Sequence, residues 1–223
     1  FALQPDMLQL GFLKLLKGSR LRKEAESFGC RYSAATPYEV RRTDSMTPED
    51  FFRLKGCEKA LDLYYHSPYA RRGALYLLGE GDSFAFFCDL GEWIRGETLT
   101  SPRRRLEALW AFARSQGRCS QALREILLFD FLCLERAPSL PLNAAPPDER
   151  ERRMIRRFFQ IEGKKRFPDG AENPWRFCQV QGFDYDLLHY DGTTEPVARR
   201  NYVLFDHLHK EQTDITGALD RQK

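Results

Sequence analysis

Between Thr47 and Glu135 the sequence lays down five helix patterns in succession, and the four-proline stretch Ala137–Pro147 closes them. Proline removes an amide donor and clashes with the preceding helical turn, so no helix is expected to cross that stretch. Thr47-Pro48-Glu49-Asp50 is the clearest start: a Thr N-cap, Pro at the first helical position and acids in the first turn. This helix should run to about His66, with Phe51, Leu54, Leu61 and Tyr65 near one face. Ser67-Pro68 repeats the signal for a helix ending near Leu78, and Asp82 caps a third through Trp93 and Ile94. Ser101-Pro102 opens a fourth, where Leu106, Leu109, Trp110 and Ala113 follow the 3.6-residue period. A fifth runs from Ser120 to Glu135. Helices joined by such short connections favour an antiparallel array.

Either side of this block the pattern changes. Met7–Phe12 alternates apolar and polar residues, which suits a strand; Leu8–Lys17 could also be a short basic amphipathic membrane-surface helix, but Gly11 weakens a helix and the strand is preferred. Ser19–Phe28 should be a short helix closed by Gly29. Cys30–Ser45 has turn residues and no helical period, so it reads as a connector, extended at Thr36-Pro37. After the prolines, Asp148–Phe159 begins as a basic helix. Lys165–Phe167, Phe177–Phe183 and Tyr202–Asp206 look extended, with turns at Pro168-Asp169-Gly170 and Asp191-Gly192. The expected fold is mainly α (α+β), an antiparallel helical array with a small C-terminal antiparallel β-sheet. Its divisions fall at 1–29, 30–46 (connector), 47–137 (array), 138–206 (helix plus sheet) and 207–223, a fraying polar tail.

The chain has 223 residues, of which 42% are hydrophobic and 30% charged, enough to bury a core. No apolar run approaches the roughly 20 residues that span a bilayer. Phe1–Leu16 lacks a charged leader and a small-residue cleavage site, so no secretory signal or membrane association is expected. The six cysteines, at 30, 57, 88, 119, 133 and 178, are too dispersed for a local metal motif. They read as reduced structural thiols in a cytoplasmic protein.

Few constellations could carry chemistry, and no catalytic residue or metal ligand is assigned. His207-Leu208-His209, with Asp206, could place two imidazoles on one strand face, and Asp184, Asp186 or His189 could add a third ligand. The preferred reading of the same residues is a hydrated strand end before a fraying tail. Asp130, inside Leu127–Leu132, should be a buried carboxylate, either raised in pKa or satisfied by a helix N-terminus or an arginine. The basic runs Arg103-Arg104-Arg105, Arg152-Arg153, Arg156-Arg157, Lys164-Lys165-Arg166 and Arg199-Arg200 are interleaved with acids, and the net charge is only +3. That pattern suits solvated helix faces, and nucleic acid is not the expected partner.

Gln9–Ser19 resembles the late barrel strand and following turn of radical SAM proteins, with Lys17-Gly18-Ser19 in place of a Pro-Gly-Thr-like turn. Leu8–Ser19, Pro37–Val40 and Asp50–Tyr65, with Leu127–Leu132 and Leu204–Asp206, together resemble the uncharacterised C-terminal domain of bacterial cobalamin-binding radical SAM proteins. The resemblance implies that 1–29 is a remnant strand and helix of the barrel and that this chain is the C-terminal part of a longer enzyme. The partners would then be N-terminal radical SAM and cobalamin-binding domains of the same polypeptide. Those domains would carry S-adenosylmethionine, a four-iron cluster and cobalamin, and this fragment would carry no cofactor.

The expected role is a non-catalytic accessory domain that covers the barrel mouth and shapes the substrate site. Gln9, Lys14, Tyr64, Tyr65 and His66 are the substrate-facing candidates. The alternative is a recruitment module that binds RNA or protein through its Arg-rich helices. Because no CxxxCxxC can be drawn from the six cysteines, iron and sulfide analysis of the purified chain should find neither element. A stoichiometric cluster would contradict the resemblance.

Overall fold

The computed structural model describes residues 5–166 and 174–221, with 164–166 as backbone only. In chain order, α1 (Arg20–Lys23) and a 3-10 turn (Ala25–Phe28) lead to the strands β1 (Arg31–Tyr32) and β2 (Val40–Arg42). Then come α2 (Pro48–Ala60), prolonged by a π-helical turn (Leu61–Tyr65), α3 (Arg71–Leu78), α4 (Ser83–Trp93), α5 (Pro102–Ser115) and α6 (Gln121–Leu134). Helix α7 (Glu149–Arg166) precedes β3 (Cys178–Tyr185), β4 (Ala198–Asp206), β5 (Glu211–Asp214) and α8 (Thr216–Asp220). The chain is therefore mainly helical with a small three-stranded antiparallel sheet near its C-terminus, an α+β fold, as expected.

The helix starts obey their caps. Thr47 and Asp50 form a reciprocal capping box, the Asp50 amide donating to Thr47 Oγ1 at 3.2 Å and the Thr47 amide to Asp50 Oδ2 at 2.8 Å. Asp82, Ser101 and Ser120 accept first-turn amides of α4, α5 and α6. Ser67-Pro68 breaks the rule. Helix α3 begins only at Arg71, after an Ala70 with non-helical backbone and no side-chain cap. Buried Ser67 makes no hydrogen bond through its hydroxyl, so it does not act as a cap.

Helices that follow one another do not pack as one consecutive array. The chain forms two compact units, Phe1–His66 with Glu80–Thr98 and Ser67–Gly79 with Leu99–Lys223. In the first, α2 lies against α4 where Gly56 meets Gly91; a Cβ built on Gly91 would stand 2.2 Å from the Gly56 carbonyl carbon. Lys59 Nζ reaches the carbonyl oxygens of Ile94 and Glu97 at 3.2 and 2.9 Å, placing a cation at the C-terminal end of α4. In the second unit Gly73 of α3 admits Leu127 of α6 and approaches Leu109 of α5. Small residues on particular faces, not loop lengths, choose the partners.

The three-stranded sheet is sandwiched in the second unit, and its period-2 alternation shows on both faces. Phe183 and Phe205 meet Phe129 of α6, with ring centroids 5.5 and 5.4 Å away. Cys178, Val180 and Leu204 face Ile155, Phe158 and Phe159 of α7, joined by Ile215 and Leu219 at α8. The polar tail expected at 207–223 therefore contains β5 and α8, anchored by fully buried Leu219 and by Asp214 Oδ1, which accepts the Thr216 amide at 2.9 Å. Helix α7 also runs on to Arg166, across two residues of the expected Lys165–Phe167 strand. Phe167 and the Pro168-Asp169-Gly170 turn lie outside the described residues.

Met7–Phe12 alternates as expected, with Leu8, Leu10 and Phe12 half-buried and Gln9 and Gly11 exposed, yet it joins no strand. Pairing comes just beyond it, where the Leu15 amide donates to Tyr38 O (2.9 Å) and the Val40 amide to Leu13 O (2.8 Å). The connector 30–46 is correspondingly a hairpin of β1 and β2, with a cis peptide at Thr36-Pro37.

Replacing Gly91 by Ala should destabilise the first unit by about 1–3 kcal/mol or more, since the obstacle is rigid backbone. Gly11→Ala, which meets nothing within 4 Å, should leave the urea midpoint nearly unchanged. Equal midpoints for the two variants would contradict the close helix approach.

Candidate functional site

Of the substrate-facing candidates, Gln9 and Lys14 are exposed, Tyr64 and Tyr65 are buried and His66 is half-buried. They do not converge on one pocket. Tyr65 and His66 instead hold the start of the chain. The Tyr65 hydroxyl donates to Pro5 O, and the Leu8 amide donates to His66 Nε2 at 3.1 Å. Accepting at Nε2 leaves the His66 proton on Nδ1, which faces Asp62 Oδ1 at 3.1 Å. The π-helical turn sets these side chains by inserting an extra residue into the helical repeat. Lys14 forms an isolated antiparallel bridge to Glu39.

In the second unit Asp130 is 2% exposed and is met by Arg72, whose Nε and Nη2 both lie 2.5 Å from Oδ1. The Arg72 Nη1 donates to the carbonyl oxygens of Leu187 and Tyr190 at 3.0 and 3.1 Å, and its guanidinium stands 4.7 Å from the Phe129 ring centre. Asp130 Oδ2 is buried and unpaired. Burial pushes the Asp130 carboxyl up to about 7, against the pull of Arg72.

The expected histidine pair is not on a strand. Strand β4 ends at Asp206, and His207–Lys210 is a turn with Lys210 at φ 59°. Asp206 Oδ1 accepts the amides of Leu208 and His209 (2.9 and 3.1 Å), while Oδ2 lies 2.6 Å from His209 Nδ1. Burial raises the Asp206 pKa, but these hydrogen bonds outweigh it and hold the carboxyl below its ordinary range. Among the described residues no three His, Cys, Asp or Glu side chains are placed to hold a metal ion. Cys57, Cys88 and Cys178 are buried, and burial pushes the Cys57 and Cys133 thiols up to about 12.

The residues that do converge belong to a polar cleft of about 470 Å³ in the second unit, lined by Trp110, Gln121, Arg124, Glu125, Gln181 and Arg200, among others. Register shifts in β3 between Phe183 and Tyr185, and Glu125 fills the irregularity, its Oε2 accepting the amides of Asp184 and Tyr185 at 2.8 and 3.3 Å. Burial, the largest influence, raises the Glu125 pKa despite those bonds. Arg200 bridges Glu151 and Asp184, each at 2.7 Å. Arg124 lies over the Trp110 ring at 5.3 Å, and Gln181 Oε1 is buried without a partner. Such a lining can bind a polar molecule and exchange a proton at Glu125.

Of this cleft, the basic run flagged Arg200, and Gln121 and Glu125 share an i,i+4 spacing on α6. Gln181 carries no signal, because its place depends on how β3 meets α6.

The Asp130 shift fixes a pH dependence. A raised folded-state pKa contributes stability in full below the unfolded value of 3.8 and loses it as pH rises through about 7. Wild-type protein should therefore lose stability relative to Asp130→Asn between pH 4 and 7, as followed by urea midpoints. Parallel profiles for the two proteins would refute the shift.

Searches against curated proteins and against solved structures find no match. Residues 26–205, about four fifths of the chain, match the family described as Protein of unknown function (DUF4080). The chain belongs to that family.

Proposed function

We propose that this chain is a non-catalytic C-terminal accessory domain of a cobalamin-dependent radical SAM enzyme, covering the barrel mouth and helping to shape the substrate site. The observation that carries the reading is the clasp on the opening segment. Pro5 and Leu8 are held by Tyr65 and His66, and Leu15 is fully buried against Ala25 and Val40. The family match begins at Glu26, just past the Leu8–Ser19 segment that resembles a late barrel strand. A segment gripped in this way would couple the helical unit to whatever barrel it completes. Shielding a reactive intermediate from water is the benefit such a cover brings.

In the parent, the cluster, S-adenosylmethionine and cobalamin would supply the radical and organometallic chemistry from the N-terminal domains. The thiols of this chain, dispersed or buried, do not fit a cluster. The recruitment alternative draws less support. Arg156 is paired with Glu149, Arg199 with Asp186 and Asp214, and Arg200 with Glu151 and Asp184, which neutralises part of the charge a polyanion would need.

The full-length protein, purified without oxygen, should contain a four-iron cluster and cobalamin and convert S-adenosylmethionine to 5′-deoxyadenosine. Tyr65→Phe combined with His66→Ala should keep the iron content while changing the 5′-deoxyadenosine rate several-fold. Full-length protein without iron would overturn the parentage, and an unchanged rate would overturn the covering role.

A further inference from the structure

A second hollow in the Ser67–Gly79 and Leu99–Lys223 unit, also about 470 Å³, has a different character. Its floor is apolar, with Leu140, Pro146, Ile155, Trp175 and Val180, and three arginines, Arg136, Arg152 and Arg156, stand among its lining residues. Arg156 is committed to Glu149 at 2.9 Å. The guanidinium groups of Arg136 and Arg152 have no hydrogen-bond or ion-pair partner among the described residues. Arg136 also acts, after burial, to hold the His207 pKa below its ordinary value.

The groove wall is fixed in advance. The Gln179 side chain grips the backbone of Ala137, accepting its amide at 3.0 Å and donating to its carbonyl at 3.3 Å. Those two hydrogen bonds tie the strap carrying Arg136 and Pro138 to the sheet. On the other side, Trp175 packs at a tilt against Phe159 with ring centres 4.6 Å apart and remains 40% exposed.

We infer that this groove binds a small organic anion, an apolar body ending in a carboxylate. The floor would take the body out of water, and the two uncommitted guanidinium groups match a carboxylate in charge and in planar donor geometry. A predominantly apolar hollow of this volume with a few convergent polar groups is the usual form of a small-molecule site. A folded protein partner would need far more buried surface than the groove offers. A cationic amphiphile with the same body would face the unneutralised arginines.

The test is isothermal titration of the full chain with decanoate, kept below its aggregation concentration, alongside decyltrimethylammonium. One decanoate should bind per chain, and the cation of similar tail length should bind at least about tenfold more weakly. Arg136→Gln with Arg152→Gln should weaken decanoate at least about tenfold with an unchanged melting temperature. Arg114→Gln, on exposed α5 surface, should leave binding as it was. Equal binding of both amphiphiles, binding within twofold of wild type in the double variant, or no decanoate binding would overturn the inference. An acidic Leu-rich peptide that binds where decanoate does not would overturn it in favour of a peptide-docking surface.

Discussion

The second unit is organised around the buried contact between Arg72 and Asp130. One guanidinium joins α3 to α6 through the carboxylate, reaches the Leu187 and Tyr190 carbonyls in the β3–β4 connection, and covers the face of Phe129. Removing either member of such a buried pair costs about 3–5 kcal/mol, because the remaining charge has no water to turn to. An apolar pair of similar volume could be as stable. The ion pair adds direction: only one arrangement of helix, helix and loop satisfies all the donors. Gly192 follows from it, since its backbone passes Arg72 so closely that a Cβ would sit 2.9 Å from the arginine Cα.

From that anchor the Phe129, Phe183 and Phe205 cluster sets where the sheet meets α6. The opposite sheet face is then left for α7 and α8. The two hollows described above are consequences of this sandwich. The polar one opens where Glu125 fills the β3 irregularity, and the apolar one opens where the proline strap meets the α7 side of the sheet. They offer different chemistry because one gathers hydrogen-bonding side chains that already bond to one another, while the other leaves two arginines uncommitted above hydrocarbon.

Much of this was legible beforehand because it is local. The capping box at Thr47 and the caps at Asp82, Ser101 and Ser120 depend on residues three or four apart, and they fall where the sequence put them. Asp130 was recognisable as a buried carboxylate from its apolar neighbours, but Arg72, 58 residues earlier, carries no mark of being its partner. Ser67-Pro68 misled because a cap signal does not reveal that its serine will be buried. The tail misled because Ile215 and Leu219 are too few to make a pattern, although both are almost fully buried.

The sequence by itself determined the starts of α2, α4, α5 and α6, the end of the helical run at the prolines, and the predominantly helical composition with a small sheet after them. These rest on backbone geometry and hydrogen bonds between near neighbours, which any chain with those residues would form. Tertiary structure alone decided that α2 pairs with α4 while α3 joins α5 and α6, that Tyr65 and His66 grip the first residues instead of facing a ligand, and that Arg136 and Arg152 share one groove. Each of those outcomes depends on which surfaces can approach closely enough to exclude water. Such approach is set by glycines and side chains far apart in the chain, so no local pattern records it.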